Sequence, residues 1–294
     1  AGATSTMNAR ANSSLVSSAT GASGAAAISG TTAYIGTGAT VTAGDDVNVR
    51  ADDRIDFFVL VGGVVASGMS FGGSVAVVGI GQKTEAFIAS GATITVGTDA
   101  TDDVLVHARL DVDVDGRSYA GALSMLGSLA AQAVVIKDSS VQSAYLGDNA
   151  NIVRAGGTLL VEALVDRDIF ADSTGGALSG GLAVGVSLAI VNVTGATVAE
   201  VRGANIGQTA AVVQNLTVTA ENDSRVSVDA RAVNGGILLG ASGAIAMADV
   251  SPAVTARITA NSDVTVTGDV LLDARALDDA ESNALGVALS AGVS

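Results

Sequence analysis

The sequence has no cysteine and no tryptophan, and it has one proline, Pro252, and one histidine, His107, among 294 residues. The absence of cysteine excludes disulfides, thiolate metal sites and thiol catalysis. Aromatic residues make up only 3% of the chain. A core built from Ala, Val, Ile and Leu must be narrow, because small side chains cannot fill a wide interior. These scarcities favour a thin, repetitive architecture over a large compact domain.

Basic residues are also scarce, with 14 Lys and Arg against 29 Asp and Glu, which gives a formal net charge of −15. Nucleic acid binding depends on clusters of Lys and Arg, and so does binding to an anionic membrane surface. We therefore expect no nucleic acid partner and no membrane insertion of this segment. Strong acidity favours solubility in an extracellular setting.

The abundant feature is an internal repeat. The segment AYIGTGATVT at Ala33 returns as AFIASGATIT at Ala86 and as AYLGDNANI at Ala144, with weaker copies at Ala199 and Ala256, so the spacings are 53, 58, 55 and 57 residues. A fixed period of this kind is typical of repeat architectures. We predict one continuous array over residues 1–294, cut at both ends. Its approximate units are 1–32 (partial), 33–85, 86–143, 144–198, 199–255 and 256–294 (partial).

Within each unit the local pattern predicts β-strands. Apolar and polar residues alternate in VNVRA from Val47, in VLVHA from Val104 and in LLVEA from Leu159, which places one set inward and the other outward. We expect eight of these residues to be buried, namely Val47, Val49, Ala51, Val104, Val106, Ala108, Val161 and Ala163.

The predicted fold is all-β, a β-solenoid or parallel β-helix of about five units. Because ~55 residues are too many for one rung of a typical solenoid, we expect two or three coils per unit and a rod about 50 to 70 Å long at ~4.8 Å per coil. Interior glycines disfavour a helix over Ser118–Ile136. The uncharged run Gly175–Val193 lacks the basic flanks and aromatic belts of a membrane span, and we expect strands there too.

Two motifs are candidates for catalysis or metal binding. Gly68-Met69-Ser70-Phe71-Gly72 matches the G-x-S-x-G nucleophile elbow, which requires a strand-to-helix turn and a partner histidine. The only histidine, His107, lies in the next unit, and we expect the match to be accidental. Asp111, Asp113 and Asp115 resemble the start of a calcium loop, D-x-D-x-D-G, although a full loop would have Glu where Ala122 stands. The alternative is three aspartates on the solvent face of one strand.

The unit A-[YF]-I-G-x-G-A-x-[VI]-x-A-G-x-D-V-x-V-x-A, clearest from Ala33 to Ala51, resembles repeats of very large filamentous, haemagglutinin- or leukotoxin-like adhesins of Gram-negative bacteria. The resemblance implies secretion, a β-solenoid shaft and a role in adhesion, aggregation or cell-cell contact. The unit at Ala199 lacks the aromatic residue and the G-x-G, so we expect its first turn to be built differently.

The leading functional hypothesis is a structural or adhesive shaft of a secreted bacterial cell-surface protein, without enzymatic activity or a cofactor. Its expected partners are neighbouring copies or continuing repeats end to end, and glycans or other cells. Two alternatives stay open. One is a solenoid module that binds Ca²⁺ or a glycan, and the other is a polysaccharide-active β-helix enzyme that uses paired acids such as Asp52 and Asp53 or Asp102 and Asp103.

Overall fold

A computed structural model describes residues 7–20, 23–27, 30–208 and 212–292. These residues form parallel β-sheets without a helix, so the predicted all-β, solenoid-like class is confirmed. No described segment is a helix of the length and hydropathy needed to cross a membrane. The start of the predicted first unit, residues 1–6, lies outside the described residues. The strands are β1 (Met7–Thr20), β2 (Ser23–Ala27), β3 (Gly30–Ile35), β4 (Thr40–Thr42), β5 (Val47–Ile80), β6 (Lys83–Ile88), β7 (Thr93–Thr95), β8 (Val104–Asp138), β9 (Val141–Leu146), β10 (Asn151–Ser179), β11 (Leu182–Val193), β12 (Ala196–Val201), β13 (Asn205–Ile206), β14 (Val213–Gly236), β15 (Leu239–Val250), β16 (Ala253–Ile258), β17 (Asp263–Val264) and β18 (Val270–Ser290).

The strands stack in three parallel ladders. The long ladder runs β1-β5-β8-β10-β14-β18, and it is extended by β2 and β11, which pair along the second halves of β5 and β8, and by β15, which pairs with β11. A second ladder of six-residue strands runs β3-β6-β9-β12-β16. A third, of very short strands, runs β4-β7-β10-β13-β17 and uses the first residues of β10. Each coil of the chain therefore passes once through each ladder.

The register of these ladders corrects the number of coils. In the second ladder Ala33 pairs with Ala86, Ala86 with Ala144, Ala144 with Ala199 and Ala199 with Ala256. One unit of the sequence repeat thus makes one coil, and the expectation of two or three coils per unit is wrong. The long ladder joins six described strands, so at ~4.8 Å per step it spans about 24 Å instead of 50 to 70 Å.

One coil can hold a whole repeat unit because its long strand folds back on itself. We call residues 47–67, 104–124, 159–179 and 216–236 the outgoing arms, and residues 69–80, 127–138, 182–193 and 239–250 the returning arms. The tip is the bend between them. The two arms face each other across a thin interior, where the Ser187 hydroxyl donates to the Ser173 hydroxyl at 2.9 Å. The extra residues of each unit therefore lengthen a flat blade instead of adding another coil.

The interior narrows from the base of the coil to the tip. Val, Ile and Leu side chains fill the base, where the three ladders meet, and a second cluster lies between the arms. Close to the tip the cluster consists of Ala122, Ala130, Ala177 and Ala183. The narrow core expected from the composition is therefore present. The eight residues that alternation places inward, from Val47 to Ala163, are all completely buried, which confirms that prediction.

The turn between the second and third ladders needs a left-handed backbone in every unit. Gly38, Gly91, Asn149, Gly203 and Asn261 occupy it with φ between 53° and 70°. Gly adopts this conformation without a Cβ clash, and Asn tolerates it better than other residues. The unit at Ala199 differs as expected. Its strand β12 ends at residue 201 and the left-handed Gly203 comes two residues later, whereas the other units have three residues from the strand end to the left-handed residue.

Candidate functional site

The outer face of the outgoing arms carries charged side chains in ordered rows. One row aligns Arg54, Asp111, Asp166 and Asp223 across successive coils. Ion pairs also run along single strands, as between Arg109 Nε and Asp111 Oδ1 at 2.9 Å. Because these groups are partly exposed, each pair stabilises the fold by less than about 1 kcal/mol. The face is therefore a solvated lattice of charge, with basic and acidic groups interleaved.

The predicted calcium ligands lie on this face. Asp111, Asp113 and Asp115 point outward from β8, and the valines between them are buried. Alternate residues of a strand are ~6.6 Å apart, so the outer two Cα atoms are separated by about 13 Å. Asp115 is also engaged by Arg117, whose Nη2 lies 2.7 Å from Oδ2. Calcium needs several oxygens converging on one point, and these three are spread along a line.

No cluster of three or more His, Asp or Glu side chains within the described ranges has the geometry to hold a metal ion. Calcium binding at Asp111, Asp113 and Asp115 stays a prediction.

Asp113 lies between two other acids of the face. It aligns with Asp56 on one side and Asp168 on the other. Burial raises the pKa of Asp113, the charges of Asp56 and Asp168 raise it further, and Arg54 opposes them. A proton or a cation that neutralises this carboxylate relieves the repulsion within the row.

Ser70 and His107 are not brought together. Ser70 points into the interior at the start of a returning arm, is 1% exposed, and its hydroxyl has no hydrogen-bond partner. His107 lies on the outer face near the base of an outgoing arm, with Nδ1 2.8 Å from Glu162 Oε2 and Nε2 3.6 Å from Asp52 Oδ1. The nucleophile elbow also needs a strand-to-helix turn, and Ser70 lies inside β5.

A stack of aromatic rings runs along the second ladder. The ring centroids of Tyr34 and Phe87 are 5.1 Å apart and those of Phe87 and Tyr145 are 4.8 Å apart, with nearly parallel planes. The Arg202 guanidinium covers the Tyr145 ring at 3.8 Å. Stacking on a sugar requires a free ring face, and the faces of Phe87 are occupied on both sides. The stack therefore stabilises the ladder, and Phe87 offers no platform for a glycan.

Glu200 continues this row at the next coil and accepts two charged hydrogen bonds. Arg202 Nε donates to it at 2.6 Å and Arg257 Nε at 2.8 Å. Burial opposes ionisation of Glu200, but the two arginine hydrogen bonds outweigh it and hold its pKa below the usual value. The charged network thus links adjacent coils where the aromatic stack stops.

A buried polar belt, which the sequence pattern did not predict, lies between the cluster that fills the base of the coil and the cluster between the arms. Arg167 is completely buried, and its Nε lies 2.5 Å from Asp138 Oδ2, while its guanidinium also donates to Asn222 Oδ1. In another coil Asp53 accepts hydrogen bonds from Thr31 and Gln82. The alternation of inward and outward positions along each strand could have revealed these buried residues. Arg167 lies between two outward aspartates, and Asp53 is two residues beyond inward Ala51.

Comparison with known proteins adds no assignment: no family model, no curated protein and no solved structure matches the chain. What the described surface offers is a set of repeated rows, with charge on one face of the blade and aromatic rings along one side of the base.

Proposed function

We propose that the chain is a segment of a structural or adhesive shaft in a secreted bacterial cell-surface protein, giving reach and contact between cells or with surfaces. The observation that supports this most is the continuous register of the three ladders. Each coil presents to the next the same kind of backbone row and the same inward side chains. Coils of this kind add along one axis and produce length, which is what a shaft needs.

The sequence repeat supports the same proposal. We propose that units 33–85, 86–143, 144–198 and 199–255 are successive rungs of the shaft, between partial units 1–32 and 256–294. Among the described strands β18 pairs with β14 alone. A strand edge of this kind is a template for further pairing. Its proposed partner is the next repeat of the same protein or the end coil of another copy.

The experiment that tests this proposal is labelling of intact cells of the source bacterium with antibodies raised against this chain. We expect gold particles on unpermeabilised cells, displaced outward from the envelope, and an in-frame deletion of residues 104–158 should remove one rung without unfolding the protein. An antibody against a cytoplasmic protein is the control and should label permeabilised cells only. Labelling that also requires permeabilisation would refute a role at the cell surface.

A further inference from the structure

The outer face of the returning arms is apolar over the half next to the tip, unlike the charged face of the outgoing arms. In β5, β8, β11 and β15 the five outward positions next to the tip carry neither a charge nor a polar side chain. Ten of these side chains are large and exposed, with exposed fractions between 37% and 68%. They are Met69, Phe71, Val75, Val77, Leu129, Leu182, Val186, Leu239, Ile245 and Met247.

Sheets made of parallel strands are normally covered on both faces. Here the inner face of the returning arms is covered by the outgoing arms, whereas nothing in the described chain covers the outer one. Exposed apolar surface of several hundred Å² commonly marks an interaction site. We name this surface the apolar face, defined by the outward residues of 69–77, 127–135, 182–190 and 239–247.

We propose that the apolar face binds the apolar face of a second copy of this chain, forming a side-by-side dimer of blades. The size of the surface fits. Four strands at ~4.8 Å and nine residues at ~3.3 Å give about 570 Å² per copy. Two copies together bury about 1,100 Å², above the roughly 1,000 Å² that a specific interface requires.

The shape of the surface also fits a copy of itself. The central row across the coils holds only Gly73, Ala131, Val186 and Gly243, while the rows beside it carry Phe71 and Leu129 on one side and Leu188 and Ile245 on the other. Rows of large side chains therefore border a central row that is small except at Val186, and two such sheets can interdigitate face to face.

The border of the apolar face is polar. Lys137, Asn192 and Asp249 stand in one row beside it, and both charged side chains are exposed. This row fits the rim of a protein–protein interface, which is commonly polar.

The distribution of charge favours a protein copy over a lipid surface. The net charge of −15 lies on the other faces of the chain, so two apolar faces can meet while the acids stay in water. Binding to a bilayer by this face would be favoured by basic side chains and by Trp and Tyr near its rim. Among the described residues the apolar face itself carries no basic side chain and no Trp or Tyr, and Lys137 stands at its border.

The test is analytical ultracentrifugation of the full chain across protein concentration, comparing Val186→Lys with Ser227→Lys. Val186 is at the centre of the apolar face, and Ser227 points outward from the charged face of β14. We expect the unsubstituted chain and Ser227→Lys to dimerise, and Val186→Lys to raise the dissociation constant by at least about tenfold, which corresponds to about 1.4 kcal/mol. Far-UV circular dichroism and thermal unfolding check that both variants stay folded.

A monomer at all concentrations, or a Val186→Lys dimer as tight as that of Ser227→Lys, would overturn the proposal. Flotation with neutral phosphatidylcholine vesicles that Val186→Lys abolishes would also overturn it, because the face would then belong to lipid. End-to-end stacking is distinguishable, since it gives larger particles that Val186→Lys leaves unchanged.

Discussion

Replacing Arg167 by methionine tests how the blade interior is held together. Arg167 is completely buried, its partner Asp138 is 1% exposed, and Nε lies 2.5 Å from the carboxylate. Methionine keeps the length and removes the charge, so Asp138 loses its cationic partner inside the blade and keeps only the hydrogen bonds from Ser140. Removal of one partner of a buried ion pair costs about 3 to 5 kcal/mol, and we expect Arg167→Met to destabilise the protein by that amount.

The matched control is Arg225→Met. Arg225 also pairs with a carboxylate of its own strand, Asp223, at 2.9 Å, but its side chain is 59% exposed. Solvent screens this pair, so its loss should cost less than about 1 kcal/mol. The residue type and the substitution are the same, so the difference between the two measures the effect of burial together with the lost hydrogen bond to Asn222.

The assay is urea denaturation followed by far-UV circular dichroism, with the midpoints compared at equal slope. A third protein, Arg167→Met with Asp138→Leu, removes both charges and should recover at least half of the lost stability, since an apolar pair of similar volume is often as stable as the ion pair. If Arg167→Met unfolds at the same midpoint as Arg225→Met, Asp138 does not depend on Arg167 and the reasoning is refuted.

Three further predictions concern the turn, the charged network and the acid row. Asn149→Gly should leave stability nearly unchanged and Asn149→Val should lower it by about 1 to 3 kcal/mol, because a β-branched residue is strained at positive φ; equal thermal midpoints would contradict this. Glu200→Gln should lower stability at neutral pH but not at acid pH: the pKa of Glu200 is depressed in the folded state, so its contribution is present above the unfolded pKa of ~4.5 and disappears as pH falls through the lower folded value. A destabilisation independent of pH would show that the charge of Glu200 is not responsible. Asp113→Asn should not destabilise, and calorimetric titration with Ca²⁺ should give heat for the unsubstituted chain that this variant reduces, if the predicted site at Asp111, Asp113 and Asp115 binds the ion; no heat in either protein would refute the site.

The repeat and the side-chain alternation predicted much of the fold. Recurrence of the Ala33 segment located the units, and alternation of polar and apolar residues placed Val49, Val106 and Val161 inward. Both patterns are present in the sequence itself, so they can be recognised without knowledge of the fold. The number of coils is not local. It depends on whether the Gly, Ala and Val runs turn back onto the outgoing arms or begin a new rung, and their period-two pattern is the same in both cases.

The functional surfaces were less predictable for a related reason. Runs such as Leu182–Val193 have apolar residues at nearly every position, which is typical of strands covered on both faces. The sequence therefore indicated a covered strand, and the exposed outer face became visible only when the three-dimensional stacking was known. The burial of Arg167 was not predicted either, because its neighbours Asp166 and Asp168 are outward and make the segment look solvated, although Arg167 itself occupies an inward position.

The distance between one residue in an early coil and one in the last coil tests the central claim, that each unit of about 55 residues adds a single coil to a stacked shaft. Arg54 aligns through Asp111, Asp166 and Asp223 with Leu277, which is four steps away in the long ladder. Because the chain has no cysteine, spin labels can be attached cleanly at Arg54→Cys and Leu277→Cys and measured by double electron–electron resonance. One coil per unit predicts about 19 Å between the two backbones. Two or three coils per unit would separate them by about 38 to 58 Å, and a distance in that range would contradict the account.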